Sequence, residues 1–416
     1  MDVAIVAQAA LEGDSKAVEA HNEDPPQPRM PQEILDHIVE LVEDTATIAT
    51  CSLTSRALSH FATKKRFRHL RVNGSNFLPI LVELAASPHK ASAVRRITLA
   101  SSQRLRNELC LNHLRTMLSL LPKVESLSIE NCSLVTDTGV QNAVDPSLYF
   151  AHGRAFPSVT DLAISGSSAS MGLLLSLIDL FPKLRRISLC RRRWAFHRSE
   201  QTHVNTLVSS WRRPELRELR VTDSGTEIVP YLFPGDSLRQ LEVLYLQGSM
   251  WEQRWWHVFR ENVLYENVRQ ITVSGLGAYA NSEEQLPQLP NTPNLRSLTL
   301  TDMLLTSNKD WIMSHKHYIR HFLACVIATN LEKLVFEFEY QPLADRTNIK
   351  ISEWLHFLSQ DKFSKLSQVV YYFEGAFEDG KEAEIREYVL EQHSGWERSD
   401  IVEVIVKDTN TNGISS

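Results

Sequence analysis

Val94-Arg95-Arg96-Ile97-Thr98-Leu99 places apolar residues at the first, fourth and sixth positions of a six-residue phrase. The same spacing returns at Val124, Leu127, Ile129; at Val159, Leu162, Ile164; at Leu184, Ile187, Leu189; and at Leu216, Leu219, Val221. It continues at Leu241, Leu244, Leu246; Val268, Ile271, Val273; and Leu295, Leu298, Leu300, with looser copies at Leu331, Leu334, Phe336 and at Leu366, Val369, Tyr371. Phe67, Leu70 and Val72 form a first, partial copy. The intervals run from about 25 residues (159 to 184) to about 36 (295 to 331), which overlaps and somewhat exceeds the period of repeats made of a strand and a return segment. A phrase this short cannot bury its own apolar face. Alternation along a strand points its apolar side chains to one side, and stacking copy on copy takes them out of water. The expectation is one ladder of short parallel strands with return segments packed behind it.

The return segments support that reading. Asn107 to Leu121 carries Leu109, Leu111, Leu114, Met117, Leu118 and Leu121, and Met171 to Phe181 carries Leu174, Leu177, Ile178 and Phe181. Both have helical spacing and stop at a proline, Pro122 and Pro182. A strand and a helix per copy predict an α/β solenoid over residues 71–408, closed by a C-terminal cap, with a disordered tail at 409–416. The length of 416 residues fits an architecture that grows by stacking better than one compact core.

Composition limits the function classes. A net charge of −6 gives no global case for nucleic acid or for a polyanionic membrane surface. The apolar run Ala4 to Leu11 follows Asp2 and is far too short to span a bilayer, so it reads as neither signal peptide nor anchor. A cytoplasmic and/or nuclear location is expected. The five cysteines, Cys51, Cys110, Cys132, Cys190 and Cys325, are odd in number and dispersed, with no C-x-x-C pair. That pattern argues against a disulfide framework and a structural zinc, and for small buried hydrophobes.

Ahead of the ladder the pattern changes. Residues 1–29 end in Asn22-Glu23-Asp24-Pro25-Pro26-Gln27-Pro28 and read as a disordered leader, because proline and charge resist helix and sheet alike. From Met30 to about Leu70 the spacing is helical. Ile34, Leu35, Ile38, Leu41 and Val42 recur every three or four residues, with Pro31 in the first turn and Glu33 near the helix N-terminus. A second segment, Thr47 to Thr63, sets Ile48, Cys51, Leu53, Leu58, Phe61 and Ala62 on its apolar side. Two or three short helices packed together are expected to bury these faces, giving an all-α module over residues 30–70.

Two stretches carry a family resemblance. Val124-Glu125-Ser126-Leu127-Ser128-Ile129-Glu130-Asn131-Cys132-Ser133-Leu134-Val135-Thr136-Asp137-Thr138-Gly139-Val140 resembles the cysteine-containing class of leucine-rich repeat, down to the Cys after the strand and the Thr-Asp-x-Gly-Val turn. Met30-Pro31-Gln32-Glu33-Ile34-Leu35-Asp36-His37-Ile38, followed by Cys51-Ser52-Leu53-Thr54-Ser55-Arg56, is similar to the F-box of fungal F-box proteins, and the order of module and repeats is that family's order. Met30 stands where Leu is usual in the family, Thr54 where Val is common, and Leu58 near the place of a frequent aromatic. The resemblance implies a Skp-family adaptor bound by the N-terminal helices and, through it, a cullin-RING ligase. On the matching positions, Pro31, Ile34, Leu35 and Ile38 would form the apolar anchor, with Cys51, Leu53 and Arg56 from the second helix. The repeats would hold a protein substrate. In that arrangement the chain performs no chemistry.

Signals that mimic enzymes fall short. Gly375-Ala376-Phe377-Glu378-Asp379-Gly380-Lys381 has the spacing G-x-x-x-x-G-K between an expected strand, Leu366 to Phe373, and an expected helix from Glu382. Yet Glu382 replaces the Ser or Thr that a phosphate loop needs for magnesium, and Glu378 and Asp379 would repel phosphate. It reads as an acidic turn. Gly275-Leu276-Gly277-Ala278-Tyr279-Ala280 follows a strand but precedes no convincing helix. His317 and His321 stand at helical spacing beside His315, Trp311 and Tyr318, without a convincing third metal ligand. There is no G-x-S-x-G elbow. No catalytic residue, metal or cofactor is expected.

Two features bear on partner choice. Between Lys183 and Arg220 the chain is strongly basic, and Arg191, Arg192 and Arg193 follow a strand where they could line one rim as a patch for an acidic or phosphorylated segment. Trp251 and Trp255, with Trp256, Arg254 and His257, follow the Leu241 strand and serve equally as binding anchors or as filler between return helices. Two functions fit: a substrate-recognition subunit of a Skp-cullin-F-box type ubiquitin ligase, or a leucine-rich-repeat scaffold that recruits no ligase.

Overall fold

Twelve strands join in one sheet, and every neighbouring pair in it is parallel. The computed structural model describes residues 30–54, 56–101, 108–135, 156–167, 171–190, 215–222, 240–247, 265–274, 292–305, 319–320, 322–324, 326–341, 349, 351–378 and 380–409. The strands are β1 (His69–Asn73), β2 (Arg96–Ala100), β3 (Glu108–Cys110), β4 (Ser126–Glu130), β5 (Ser133–Val135), β6 (Asp161–Ser165), β7 (Arg186–Cys190), β8 (Glu218–Thr222), β9 (Val243–Gln247), β10 (Gln270–Val273), β11 (Ser297–Leu305), β12 (Lys333–Tyr340), β13 (Gln368–Gly375) and β14 (Val402–Asp408). β3 and β5 pair as a separate two-stranded sheet, and the other strands lie side by side in chain order. The described helices are α1 (Gln32–Leu41), α2 (Thr45–Thr54), α3 (Arg56–Arg68), α4 (Phe77–Ala86), α5 (Pro88–Ala93), α6 (Leu111–Ser119), α7 (Met171–Asp179), α8 (Ser352–Leu358) and α9 (Lys381–His393). The chain divides into two compact units, Met1–Arg66 and Phe67–Ser416.

Register explains why the phrase repeats. Its fourth residues stand opposite one another from Ile97 through Leu127, Leu162, Ile187, Leu219, Leu244, Ile271, Leu298 and Leu334 to Val369. The sixth residues form a second column from Leu99 to Tyr371, the first residues run from Val94 to Leu366, and all three sets are buried in one core. The partial copy belongs to the sheet too, with Leu70 opposite Ile97 and Val72 opposite Leu99. Each buried Leu, Ile or Val contributes about 1.5–3 kcal/mol by leaving water. Behind the sheet, α6 buries Leu114, Met117 and Leu118, and α7 buries Leu173, Leu174, Leu175, Leu177 and Ile178. These helices end at Ser119 and Asp179, short of Pro122 and Pro182.

Three of the copies carry a left-handed residue that the hydrophobic period does not announce. Asn131, Gly166 and Asp302 each lie two residues past a phrase and adopt left-handed φ values of 56°, 60° and 57°. Asn, Gly and Asp are the residues that tolerate this conformation. At Gly166 a side chain would also collide, since a Cβ there would sit 2.2 Å from Asn131 Oδ1. Cys132 follows the first of these residues; its thiol lies against the carbonyls of Leu99 and Glu130, and burial raises its pKa to about 11. This is the small buried hydrophobe expected from the sequence.

At the C-terminal end of the sheet the inward columns turn aromatic. Phe336 stacks on Tyr371, and Phe338 on Phe373, at 5.1 Å between ring centres in each case. Behind Tyr371 lies His393 of α9, fully buried. Its Nδ1 sits 2.8 Å from the Val389 carbonyl, an acceptor, so Nδ1 carries the proton and Nε2 accepts from the Tyr371 hydroxyl at 3.2 Å. Burial holds the imidazole below its ordinary pKa, outweighing the Val389 hydrogen bond.

Two outcomes are expected. Leu127→Ala, in the fully buried column, lowers unfolding free energy by about 2–5 kcal/mol in denaturant titrations. For His393, a depressed folded pKa means that the neutral ring's stability is intact above the unfolded value of 6.5 and is lost as pH falls toward the folded value. Unfolding midpoints measured from pH 7.5 downward should therefore fall below about pH 6.5, and His393→Gln should flatten that dependence.

Candidate functional site

The N-terminal unit has a small core of its own, and that core leaves apolar side chains over. Val39, Ile48 and Ala62 are buried together, with Val42, Cys51, Leu58 and Phe61 packed around them. Two caps fix the helices. The Lys65 ammonium donates to the carbonyls of Val39, Glu40 and Val42 at the end of α1, where exposed carbonyls and the helix dipole favour a cation. Asp44 accepts from the Thr47 amide and hydroxyl at 2.6 Å each, closing the start of α2, and these bonds hold its carboxyl below the usual range.

On α1 the apolar residues form two adjacent stripes. Val39, with Val42 just past the helix end, packs in the unit's core, and Leu35 is half-buried. Ile34, Ile38 and Leu41 form the other stripe and are 49%, 44% and 68% exposed. This corrects the expectation that the helices bury all of these side chains among themselves: three-to-four-residue spacing marks the helix, but Val39 is the residue it seals. Thr47 to Thr63 is likewise two helices, α2 and α3, and Leu53 in the last turn of α2 is 87% exposed instead of packed.

The residues suggested for adaptor binding thus separate by environment. Pro31 is exposed just before α1, and its carbonyl accepts from the Ile34 and Leu35 amides at 3.1 and 3.3 Å. Ile34, Ile38 and Leu53 are available to a partner; Leu35 is half-buried, and Cys51 packs against the Val39 cluster. Arg56 opens α3, and its side chain lies outside the described residues. Met30, 52% exposed, and Leu41 extend the free apolar surface beyond the residues suggested from sequence. The signal for Leu41 was present in its i, i+4, i+7 relation to Ile34 and Ile38.

The suggested substrate residues Arg191, Arg192, Arg193, Trp251 and Trp255 lie outside the described residues, as do Gly275 to Ala280 and His315, His317 and His321. Three of the four described arginines of the basic stretch are paired. A groove of about 330 Å³ is lined by Asp161, Arg185, Arg186, Arg217, Glu218 and Glu242 with Thr160 and Val243. Arg186 pairs with Asp161, Arg217 with Glu242 at 3.5 Å, and Arg220 with Glu218 at 2.6 Å. Asp161 and Glu242 come from neighbouring strands, outside the stretch whose charge looked one-sided. The groove is therefore of mixed charge.

The G-x-x-x-x-G-K stretch spans the end of β13 and the start of α9. Lys381 pairs with Glu384 at 3.1 Å, and Glu378 is exposed in the turn. Among the described residues no group of three or more His, Cys, Asp or Glu is placed to hold a metal ion, and no helix is long and apolar enough to cross a membrane.

Hydrogen exchange read by mass spectrometry tests the two stripes. Ile34→Asp with Ile38→Asp should leave protection of the α1 and α3 amides unchanged, whereas Val39→Asp should abolish it, because a buried unpaired carboxylate costs several kcal/mol. Compared with protein-family models the chain matches none, and it matches no curated protein.

Proposed function

We propose that the chain is the non-catalytic substrate-recognition subunit of a Skp-cullin-F-box type ubiquitin ligase. The N-terminal helices act as an F-box that docks on a Skp-family adaptor, and the parallel ladder acts as a leucine-rich-repeat solenoid that holds a protein substrate. The observation that carries this reading is the exposed stripe of Ile34 and Ile38 on α1, with Leu53 on α2, in a unit that already has a closed core. Contiguous large apolar side chains in water cost free energy that a partner recovers. Strand order that follows chain order, with one strand per phrase, supports the solenoid. The chain's part is then effective concentration: a captured substrate meets the conjugating enzyme as a tethered neighbour, not by chance collision. Such a subunit works in the cytoplasm, the nucleus or both.

The test is co-purification of a Skp-family adaptor with the full chain. Pro31→Glu with Ile34→Glu should weaken capture at least about 30-fold if the stripe is a central anchor, with unfolding of the sheet unchanged. Adaptor retained by that variant, or never bound by the unaltered chain, would replace this reading with a repeat scaffold that recruits no ligase.

A further inference from the structure

The last strands of the sheet are longer than the rungs before them, and the added length has an outer face of its own. β2, β4, β6 and β7 are five residues long; β12 and β13 run for eight and β11 for nine. β11 stays in step through a bulge, with Thr301 and Asp302 set against the single Glu337 between the Leu300–Phe336 and Met303–Phe338 pairings. The bulge holds Asp302 in its left-handed conformation, and its carboxylate accepts from the Ser274 and Thr301 hydroxyls. Inward, the extension adds the stacked Phe338–Phe373 layer. Outward, alternation presents Glu337 and Glu339 on β12 and Tyr372 and Glu374 on β13.

These side chains, with Thr301 and Asp302, line a groove of about 460 Å³, with no Lys or Arg among its described lining residues. Glu339 and Glu374 are direct cross-strand partners, an arrangement of like charges that destabilises a sheet. Lys407 of β14 pairs with Glu374 at 2.6 Å, and among the described residues no cation pairs with Glu337 or Glu339. The negative field extends to β9: burial first, and then Asp302 and Glu337, raise the Tyr245 phenol to about 12. The same face already seats a guanidinium on a tyrosine, for Arg220 lies 5.8 Å from the Tyr245 ring centre.

We propose that this acid-lined shelf at the ends of β11–β14 docks a basic segment of a partner protein. Lys and Arg side chains enter the groove against Asp302, Glu337, Glu339 and Glu374, and one lies on Tyr372. Such a segment relieves the repulsion built across β12 and β13, while the carboxylates exclude phosphate-bearing ligands. The inference rests on the partner-binding half of the proposed function and needs none of the adaptor contact.

The probe is a fluorescein-labelled peptide of repeating Arg-Gly-Lys-Ser, titrated with the full chain by fluorescence anisotropy, beside a peptide with Glu and Asp in place of the basic residues. The basic peptide is expected to bind, more weakly as salt rises. Glu337→Gln with Glu339→Gln should weaken it about tenfold or more, and Glu391→Gln with Glu397→Gln, an equal charge change at exposed positions elsewhere, less than about twofold. Thermal unfolding confirms that both variants fold. Equal losses in the two variants, equal binding of the acidic peptide, or no binding of the basic peptide at low salt overturns the shelf. Adaptor capture by the Glu337→Gln, Glu339→Gln chain, and peptide binding by the Pro31→Glu, Ile34→Glu chain, separate its failure from that of the ligase reading.

Discussion

One carbonyl per copy holds the ladder together. From Arg95 to Glu332, the residue at the second position of each phrase accepts two amide hydrogens from the next copy. The Arg95 oxygen takes those of Glu125 and Ser126 at 2.8 and 3.1 Å, the Glu125 oxygen those of Thr160 and Asp161 at 2.8 and 3.1 Å, and the Thr160 oxygen those of Arg185 and Arg186 at 2.8 and 3.0 Å. The motif repeats from Arg185 to Arg217, then Glu242, Arg269, Arg296 and Glu332, whose carbonyl takes the Ser367 and Gln368 amides. Because this shared acceptor sets where every strand begins, the fourth and sixth residues fall into register whatever the length of the return segment. Intervals that vary by about ten residues are tolerated for that reason: variation is absorbed behind the sheet, where loop closure costs little per added residue.

The same anchoring explains the charges at the strand starts. Second-position residues sit at one edge, one above the next, and alternate in sign where they pair: Arg95 with Glu125, Arg217 with Glu242, and Arg296 with Glu332, at 3.5 to 3.6 Å. Exposed pairs of this kind contribute little stability singly. At the other end of β11–β14, Lys407 pairs with Glu374, while among the described residues no cation pairs with Glu337 or Glu339.

The N-terminal unit follows a different rule. Three short helices have too little volume to enclose both apolar stripes of α1, so Val39, Ile48 and Ala62 close the core and Ile34, Ile38 and Leu41 remain in water. The caps from Lys65 and Asp44 fix the helix ends without drawing those side chains inward.

The sequence by itself determined the rungs that carry the repeated phrase and their order, while β3, which lies in a stretch that reads as helix, β5 and β14 went unannounced. An apolar 1-4-6 phrase has one way to bury itself, beside its copies, so the spacing alone placed β2, β4 and every rung through β13, and the prolines marked where α6 and α7 stop. What required the tertiary structure were properties that depend on neighbours distant in the chain. Val39 rather than Ile38 is buried because helix packing, not period, chooses between adjacent stripes. Arg186 and Arg217 are paired because Asp161 and Glu242 arrive from neighbouring copies. The bulge at Asp302 and the opposition of Glu339 to Glu374 exist only once β11, β12 and β13 lie side by side, since hydrogen-bond register, which sequence spacing leaves open beyond the phrase, decides which charges meet.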